Sequence, residues 1–311
     1  MSSGASNRTP AVLPVAGGKG GIGKSIIAAN IAVTIASRGQ DVVAMDLDLG
    51  ASNLHAIFGI RNSEKNVMNF ASHPDIQLED MLLTTEYPRT KVICGAPNFA
   101  GAADLPPKQK LRILHSITTL DCDYVILDLG AGSSFNVTDF FLKGELGVIV
   151  LVPEITSLLD AYSFLKTTLY RRLQMEWQHE HEVKTLIEEY KDPGNAKGMR
   201  TIEDLIRETA KISEEFAHQM RMMLRSAGVK IVLNKVRSKA DFQVVHTIQQ
   251  LALKNLSLTV YNAGYVPFDE SVQSSVNKMA PFVSLFPQSP AARRMAELAR
   301  SLTAAPEAIA R

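Results

Sequence analysis

The run Gly18-Lys-Gly-Gly-Ile-Gly-Lys-Ser25 constrains this chain more than any other feature, because it matches G-x-x-x-x-G-K-[ST] in a restrictive setting. It follows a short apolar run, AVLPVA at 11–16. From Lys24 onward the apolar positions Ile27, Ile31, Val33, Ile35 and Ala36 continue as a helix, with Gly39 as its stop. A strand, a glycine loop and a helix in that order make a phosphate cradle. Glycines let the backbone turn its N–H groups inward, and the helix start adds partial positive charge. Gly18, Lys19, Gly20, Gly21, Ile22, Gly23, Lys24, Ser25 and Ile26 are therefore the expected nucleotide contacts. Lys24 is placed to neutralise the terminal phosphates and Ser25 to offer a hydroxyl to magnesium.

The rest of the chain alternates strands with helices. Strands are expected at 41–48 (DVVAMDLD), 91–97 (KVICGAP), 123–132 (DYVILDLGAG), 146–153 (LGVIVLVP), 230–236 (KIVLNKV) and, more faintly, near 258–262. Residues 107–119 form a helix with Leu111, Leu114 and Ile117 at helical spacing. The fold class that follows is α/β, a doubly wound, mostly parallel sheet with helices on both faces. Pro14 weakens the first strand, since proline cannot donate to a ladder. With 311 residues the chain is long enough for one large α/β domain or two small ones. The expected organisation is a single domain over 12–302, with flexible ends at 1–11 and 303–311.

One region breaks the alternation. Between 153 and 230 the pattern is helical throughout, at 158–173, 175–191 and 201–226, with a turn at DPGNAKG (192–198). Thr201 followed by Asp204 resembles an N-cap. This insert, about 158–226, is either packed on the same domain or a separate docking surface.

A magnesium-nucleotide site also needs carboxylates, and a parallel sheet delivers them at the carboxyl ends of its strands. Asp46 and Asp48 end one strand and Asp128 ends another. A single aspartate there is as readily a cap or turn residue. Three beside a phosphate loop point to a metal and water site, with Ser25, Asp46 and Asp128 as the metal candidates.

The second lysine brings a resemblance. KGGIGKS with Lys19 resembles the deviant Walker A loop of the MinD/ParA superfamily of ATPases, a SIMIBI-type branch of P-loop NTPases. DLDLGASNL (46–54) is similar to its switch I, DLGAG (128–132) to its switch II with Gly130 where many members have proline, and VLNKV (232–236) to its adenine-facing strand. VPFDESVQSSVNKMAPFV (266–283) resembles the segment that completes the base pocket. Within the superfamily, the Gly130 turn and GASNLH are most similar to the FlhG/FleN branch, which regulates flagellar number and placement. The N-terminus lacks that branch's activator motif, and the insert is extra. The resemblance implies ATP and Mg2+ as cofactors, a homodimer formed with ATP, slow hydrolysis and a stimulating protein partner. It assigns Lys19, Lys24 and Asp48 to catalysis and Asn234 and Pro267 to the base. Lys19 is the lysine that reaches the partner's nucleotide, and Asp48 orients the attacking water. Weak membrane or nucleoid association is not established by it.

Other classes compete with this reading. One is an ATP-dependent synthetase-type enzyme that phosphorylates a small carboxylate; another is an ATP-binding regulator that does not hydrolyse. Cys94 and Cys122 form no C-x-x-C and read as core residues. Two cysteines and no export-type N-terminus point to a cytoplasmic protein, peripheral to the inner membrane face at most. A net charge of +1 gives no global pull toward nucleic acid or anionic lipid. His179 and His181 read as non-metal residues, and RRLQMEWQHEHEVK as a solvated helix face. AARRMAELARSL (291–302) reads as a last helix covering the sheet with Ala291, Met295, Leu298 and Leu302, rather than as a membrane anchor.

Overall fold

The computed structural model describes residues 8–61, 63–95, 105–144, 146–192 and 194–304. Parts of three expectations lie outside them: most of both termini, the end of the 91–97 strand and one position of the 192–198 turn. The described strands are β1 (Ala11–Gly17), β2 (Val42–Leu47), β3 (Leu83–Thr84), β4 (Thr90–Ile93), β5 (Tyr124–Ala131), β6 (Leu146–Leu151), β7 (Gly228–Val236) and β8 (Val260–Pro267). They form one sheet in the order β3-β4-β2-β5-β1-β6-β7-β8. Every described pairing is parallel except β3 with β4. The main helices are α1 (Lys24–Ala36), α2 (Pro107–Ser116), α3 (Phe135–Phe141), α4 (Ile155–Glu176), α5 (His181–Lys191), α6 (Ile202–Ile212), α7 (Glu214–Ser226), α8 (Gln243–Leu256) and α9 (Pro290–Thr303).

β1 is central, between β5 and β6, and this decides where the phosphate loop emerges. Pro14 sits inside it, paired in register with Leu127 of β5. The β1–β6 pairing begins only at Val15, so no ladder donor is needed from Pro14 on that side. Its ring instead packs where Gly144 passes, and a Cβ on Gly144 would collide with it. The proline is tolerated because the neighbouring strand has not yet started.

Two apolar layers cover the sheet. α1 and α9 lie on one face, where α1 is buried nearly all round and Ala291, Met295, Leu298 and Leu302 of α9 point inward. Each fully buried isoleucine of α1 contributes about 1.5–3 kcal/mol. On the other face, α4 carries Ala161, Phe164, Leu165 and Leu173 into a core that continues unbroken through α5, α6 and α7. The helical region thus shares one apolar core with this face of the sheet.

Several local expectations are corrected. The helix at 201–226 is two helices, broken where Ser213 turns extended and caps α7 by accepting from the Phe216 N–H. The buried positions of α2 are centred on Ile113, while Leu111 is 54% exposed, so the buried face is rotated from the Leu111–Leu114–Ile117 stripe. The last strand begins at Val260 and runs to Pro267, farther than the faint 258–262 signal. RRLQMEWQHEHEVK is solvated over most of its length, with the residues at 175, 176, 178–182 and 184 exposed, but it also carries core positions. Leu173 is fully buried, Trp177 is 2% exposed, and Arg171 joins a buried ion cluster. The charged letters masked a helix whose apolar positions face α5 and α8.

Candidate functional site

The loop between β1 and α1 sits at the carboxyl edge of the sheet. Gly23 has φ +95°, a left-handed conformation that favours glycine, and it precedes α1 without any side-chain cap. The first N–H groups of a 13-residue helix therefore point into the loop with no side chain on them. A Cβ on Gly18 would lie 2.5 Å from Cβ of Asp160, so α4 packs directly on the start of the loop.

The two lysines take opposite directions. Lys24 is 7% exposed and its Nζ donates to the Lys19 carbonyl at 3.3 Å, inside the loop. Burial lowers its pKa, and the charges of Asp128 and Asp48 oppose that shift. Lys19 turns outward: its Nζ lies 3.4 Å from Glu154 Oε2 and 3.4 Å from Thr156 Oγ1 at the start of α4.

Three carboxylates converge beside the loop, each in a different state. Asp46 is fully buried and accepts from the Asp48 N–H (3.0 Å), the Ser52 hydroxyl (2.7 Å) and the Leu54 N–H (3.0 Å). It staples the segment after β2. Burial raises its pKa against those three donors. Asp48 is half-buried, its Oδ1 accepting from the Ala51 N–H at 3.1 Å. Asp128 is 1% exposed, and neither carboxylate oxygen has a donor in hydrogen-bond geometry. Burial first, then the neighbouring Asp46 charge, push its pKa well up; the nearby Ser25 hydroxyl and Lys24 ammonium pull it down.

Two orphaned carboxylate oxygens next to a serine hydroxyl are the hard-oxygen set that a divalent cation such as Mg2+ satisfies. The residues present fit that ion. Among the described residues, no group of three or more His, Cys, Asp and Glu side chains is placed to hold a metal.

The far wall comes from β7 and β8. The Asn234 amide donates to the Ile22 carbonyl at 2.8 Å, and its Oδ1 accepts from the Lys235 N–H. Lys235 has φ +59°, and its Nζ donates to the Gly21 carbonyl at 3.1 Å. Pro267 ends β8 in register with Val236, and Phe268 follows under the Arg237 guanidinium, 3.6 Å from the ring centre. Sequence reasoning missed Lys235 and the Arg237–Phe268 stack. Lys235 is one letter past the asparagine, but nothing in that letter announces a left-handed backbone.

Gly130, which stands where many members of the resembled family have proline, lies against Asp48 in the segment that follows β2. A Cβ there would come 3.3 Å from Asp48 Oδ1. Cys94 and Cys122 are buried, and burial pushes their thiols up to about 11 and about 12, so they are inert core residues. No described helix is long and apolar enough to cross a membrane.

Comparison with known proteins agrees with this geometry. The chain is 30% identical across 150 residues to the septum site-determining protein MinD of Helicobacter pylori, covering 48% of this chain and 56% of that protein. It is 28% identical across 165 residues to the flagellum site-determining protein YlxH of the same organism, covering 50% and 52%. The chain thus spans about half the length of these relatives. In fold it matches MinD of Pyrococcus horikoshii, solved with Mg-ADP, at a TM-score of 0.64 and 18% identity, over 94% of this chain and 96% of that one. The model of the CobQ/CobB/MinD/ParA nucleotide binding domain matches residues 13–282, and the chain belongs to that family.

Proposed function

We propose that this protein is a Mg-ATP-dependent ATPase that dimerises on ATP and works as a positional switch. The observation that carries the reading is the divergence of the two loop lysines, Lys24 turned into the cradle and Lys19 turned out of it toward Glu154. A cation held outside its own site has a use only if a second copy presents its nucleotide there. That is the trans-acting finger of phosphoryl transfer.

In this reading the chain's residues divide the work. The N–H groups at the start of α1 and Lys24 hold the phosphates. Ser25 and Asp128 hold Mg2+, which when bound neutralises charge on the β- and γ-phosphates. Asp48 orients the attacking water, and Asp46 fixes the backbone that carries it. Asn234, Pro267 and the Arg237–Phe268 stack flank the base. Residues 12–302 act as one unit, with the helical region as part of its body. The likeness to a flagellum site-determining protein, together with the GASNLH run and the Gly130 turn, supports a role in flagellar number or placement. A protein partner that accelerates turnover completes the cycle.

Phosphate release measured with no added acceptor tests the chemistry. Release that depends on Mg2+ and vanishes in Lys24→Ala supports the reading. Release that requires a small carboxylate acceptor overturns it in favour of a synthetase, and ATP binding without release leaves only a regulator.

A further inference from the structure

The end of the sheet opposite the phosphate loop carries a cavity of about 1250 Å³. It opens among the amino ends of β1, β6 and β7 and the carboxyl ends of α4, α7 and α9. Its walls are largely apolar, with Phe141, Leu165, Leu169 and Tyr261 among them. A cavity of this size matches the volume that small-molecule sites offer.

Three cations line it: Lys143, Arg172 and Arg225. None of these three described side chains has an ion-pair or hydrogen-bond partner among the described residues, whereas that of Arg171, one residue before Arg172, is bound to Asp139. Glu176 is the one carboxylate among the described lining residues, so the charge of the described lining is positive. Arg225 sits in the last turn of α7 and there also complements the helix dipole. Lys143 and Arg172 thus carry more of the case. Both are only half-exposed, and burial lowers the Lys143 pKa. A cation withdrawn from water without a partner is stabilised by an anion placed against it.

A second, independent observation points the same way. Thr168 is 6% exposed, lines the cavity, and its hydroxyl has no hydrogen-bond partner. Threonines inside helices ordinarily return this hydroxyl to the preceding turn, as Thr209 does to Leu205 at 2.9 Å. Arg172 follows Thr168 by one turn on α4, so the unpaired hydroxyl and that cation belong to the same stretch of the cavity wall.

From these residues we propose a second ligand site at the base of the sheet, taking an anionic amphiphile: a phosphate or carboxylate head against Lys143, Arg172 and Thr168, and an alkyl or ring body against the apolar wall. It is separate from the nucleotide site and does not rest on the function proposed above.

Decyl phosphate is the probe, titrated calorimetrically into the full chain. Binding to the wild type, weakened about ten-fold or more in Lys143→Ala and in Arg172→Ala, is expected. Thr168→Val keeps the side-chain volume and should weaken it several-fold. ATP affinity, read in parallel at the other end of the molecule, reports that each variant is folded. Inorganic phosphate alone and decyltrimethylammonium should both bind far more weakly. Flotation with phosphatidylglycerol vesicles separates a bilayer source of the ligand from a soluble one: flotation lost in the same variants assigns it to lipid. Equal binding of the cationic and anionic amphiphiles, or decyl phosphate binding unchanged in all three folded variants, overturns the proposal.

Discussion

Asp46 and Asp128 stand side by side, paired in register across β2 and β5. The first has three donors on its carboxylate and the second has none. Two buried like charges cannot both stay ionised cheaply, so the proton settles on the carboxyl without donors, Asp128. Its folded pKa is raised, so between the unfolded value near ~4 and that raised value the folded state binds more protons. Stability therefore falls as pH rises through this window and levels off above it. We predict that Asp128→Asn flattens that slope and raises the melting temperature of the nucleotide-free protein at neutral pH, by on the order of 2 °C per kcal/mol gained. The same variant should lose the stabilisation that Mg-nucleotide gives the wild type. Scanning calorimetry across pH, with and without Mg-ADP, checks both; a variant less stable at neutral pH and equally stabilised by Mg-ADP would contradict the assignment.

Asn234 braces the phosphate loop through Ile22, and Gly23 leaves it room, since a Cβ there would sit 2.5 Å from the amide nitrogen. We predict that Asn234→Ala costs about 1 kcal/mol of stability and lowers nucleotide affinity about 5- to 10-fold. Gly23→Ala should do worse, and adding it to Asn234→Ala should not relieve it, because φ +95° remains costly for any Cβ. Nucleotide titration of the three variants decides this; full recovery in the double variant would show that the clash alone matters.

Gly130 touches the carboxylate proposed to hold the attacking water. A methyl at that position must displace Asp48 by a few tenths of an ångström. We predict that Gly130→Ala keeps ATP affinity within about two-fold while turnover falls on the order of ten-fold, the pattern of a group acting mainly in the transition state. Steady-state kinetics showing a change in KM and not in kcat would place Gly130 in binding instead.

Much of this site was legible because its chemistry is local. The loop from Gly18 to Ser25, the aspartates at the end of β2 and Asp128 within β5 lie in contiguous motifs whose spacing already implies strand, turn and helix. What stayed hidden depends on neighbours distant in sequence. Pro14 fits its strand because β6 pairs only from Val15 onward and Gly144 makes room for the ring. The donor-free state of Asp128 against the stapled Asp46 needs the β2–β5 register. The buried Trp177 and the Arg171 bound to Asp139 lie in a stretch whose charged letters outnumber its core positions. The break at Ser213 is a capping choice within a pattern that scans as one helix.

Asp139 of α3 accepts from Arg171 Nε at 2.6 Å and also pairs with Lys110, tying α2 and α4 to the helix that follows switch II. These cations hold its carboxyl below its usual range even against the opposing effect of burial. With the folded pKa depressed, the contribution is present above the unfolded value near ~4 and is lost as pH falls through the folded one. We predict that Asp139→Ala destabilises by about 3–5 kcal/mol, because two partly buried cations lose their partner. Chemical denaturation at pH 7 measures it, and a loss under about 1 kcal/mol would mean the cations reach water unaided.

The ion pair of Lys19 with Glu154 is long, 3.4 Å, and both side chains are about half exposed, 46% and 58%. Such a pair is worth little, so the lysine is held in place without being committed to it. A residue built to anchor the fold would be paired more closely and buried more deeply, as Asp139 is. A residue built to leave for another subunit needs this kind of weak parking contact. We predict that Glu154→Gln changes stability by less than about 0.5 kcal/mol. Lys19→Ala should likewise leave the monomer stable and still able to bind ATP, yet abolish both ATP-dependent dimers and hydrolysis. The readout is size exclusion with light scattering, on an Asp48→Ala background in which bound ATP persists. Dimers forming as strongly with Lys19→Ala as without it would remove Lys19 from the interface and leave the outward turn of its side chain a matter of solvation alone.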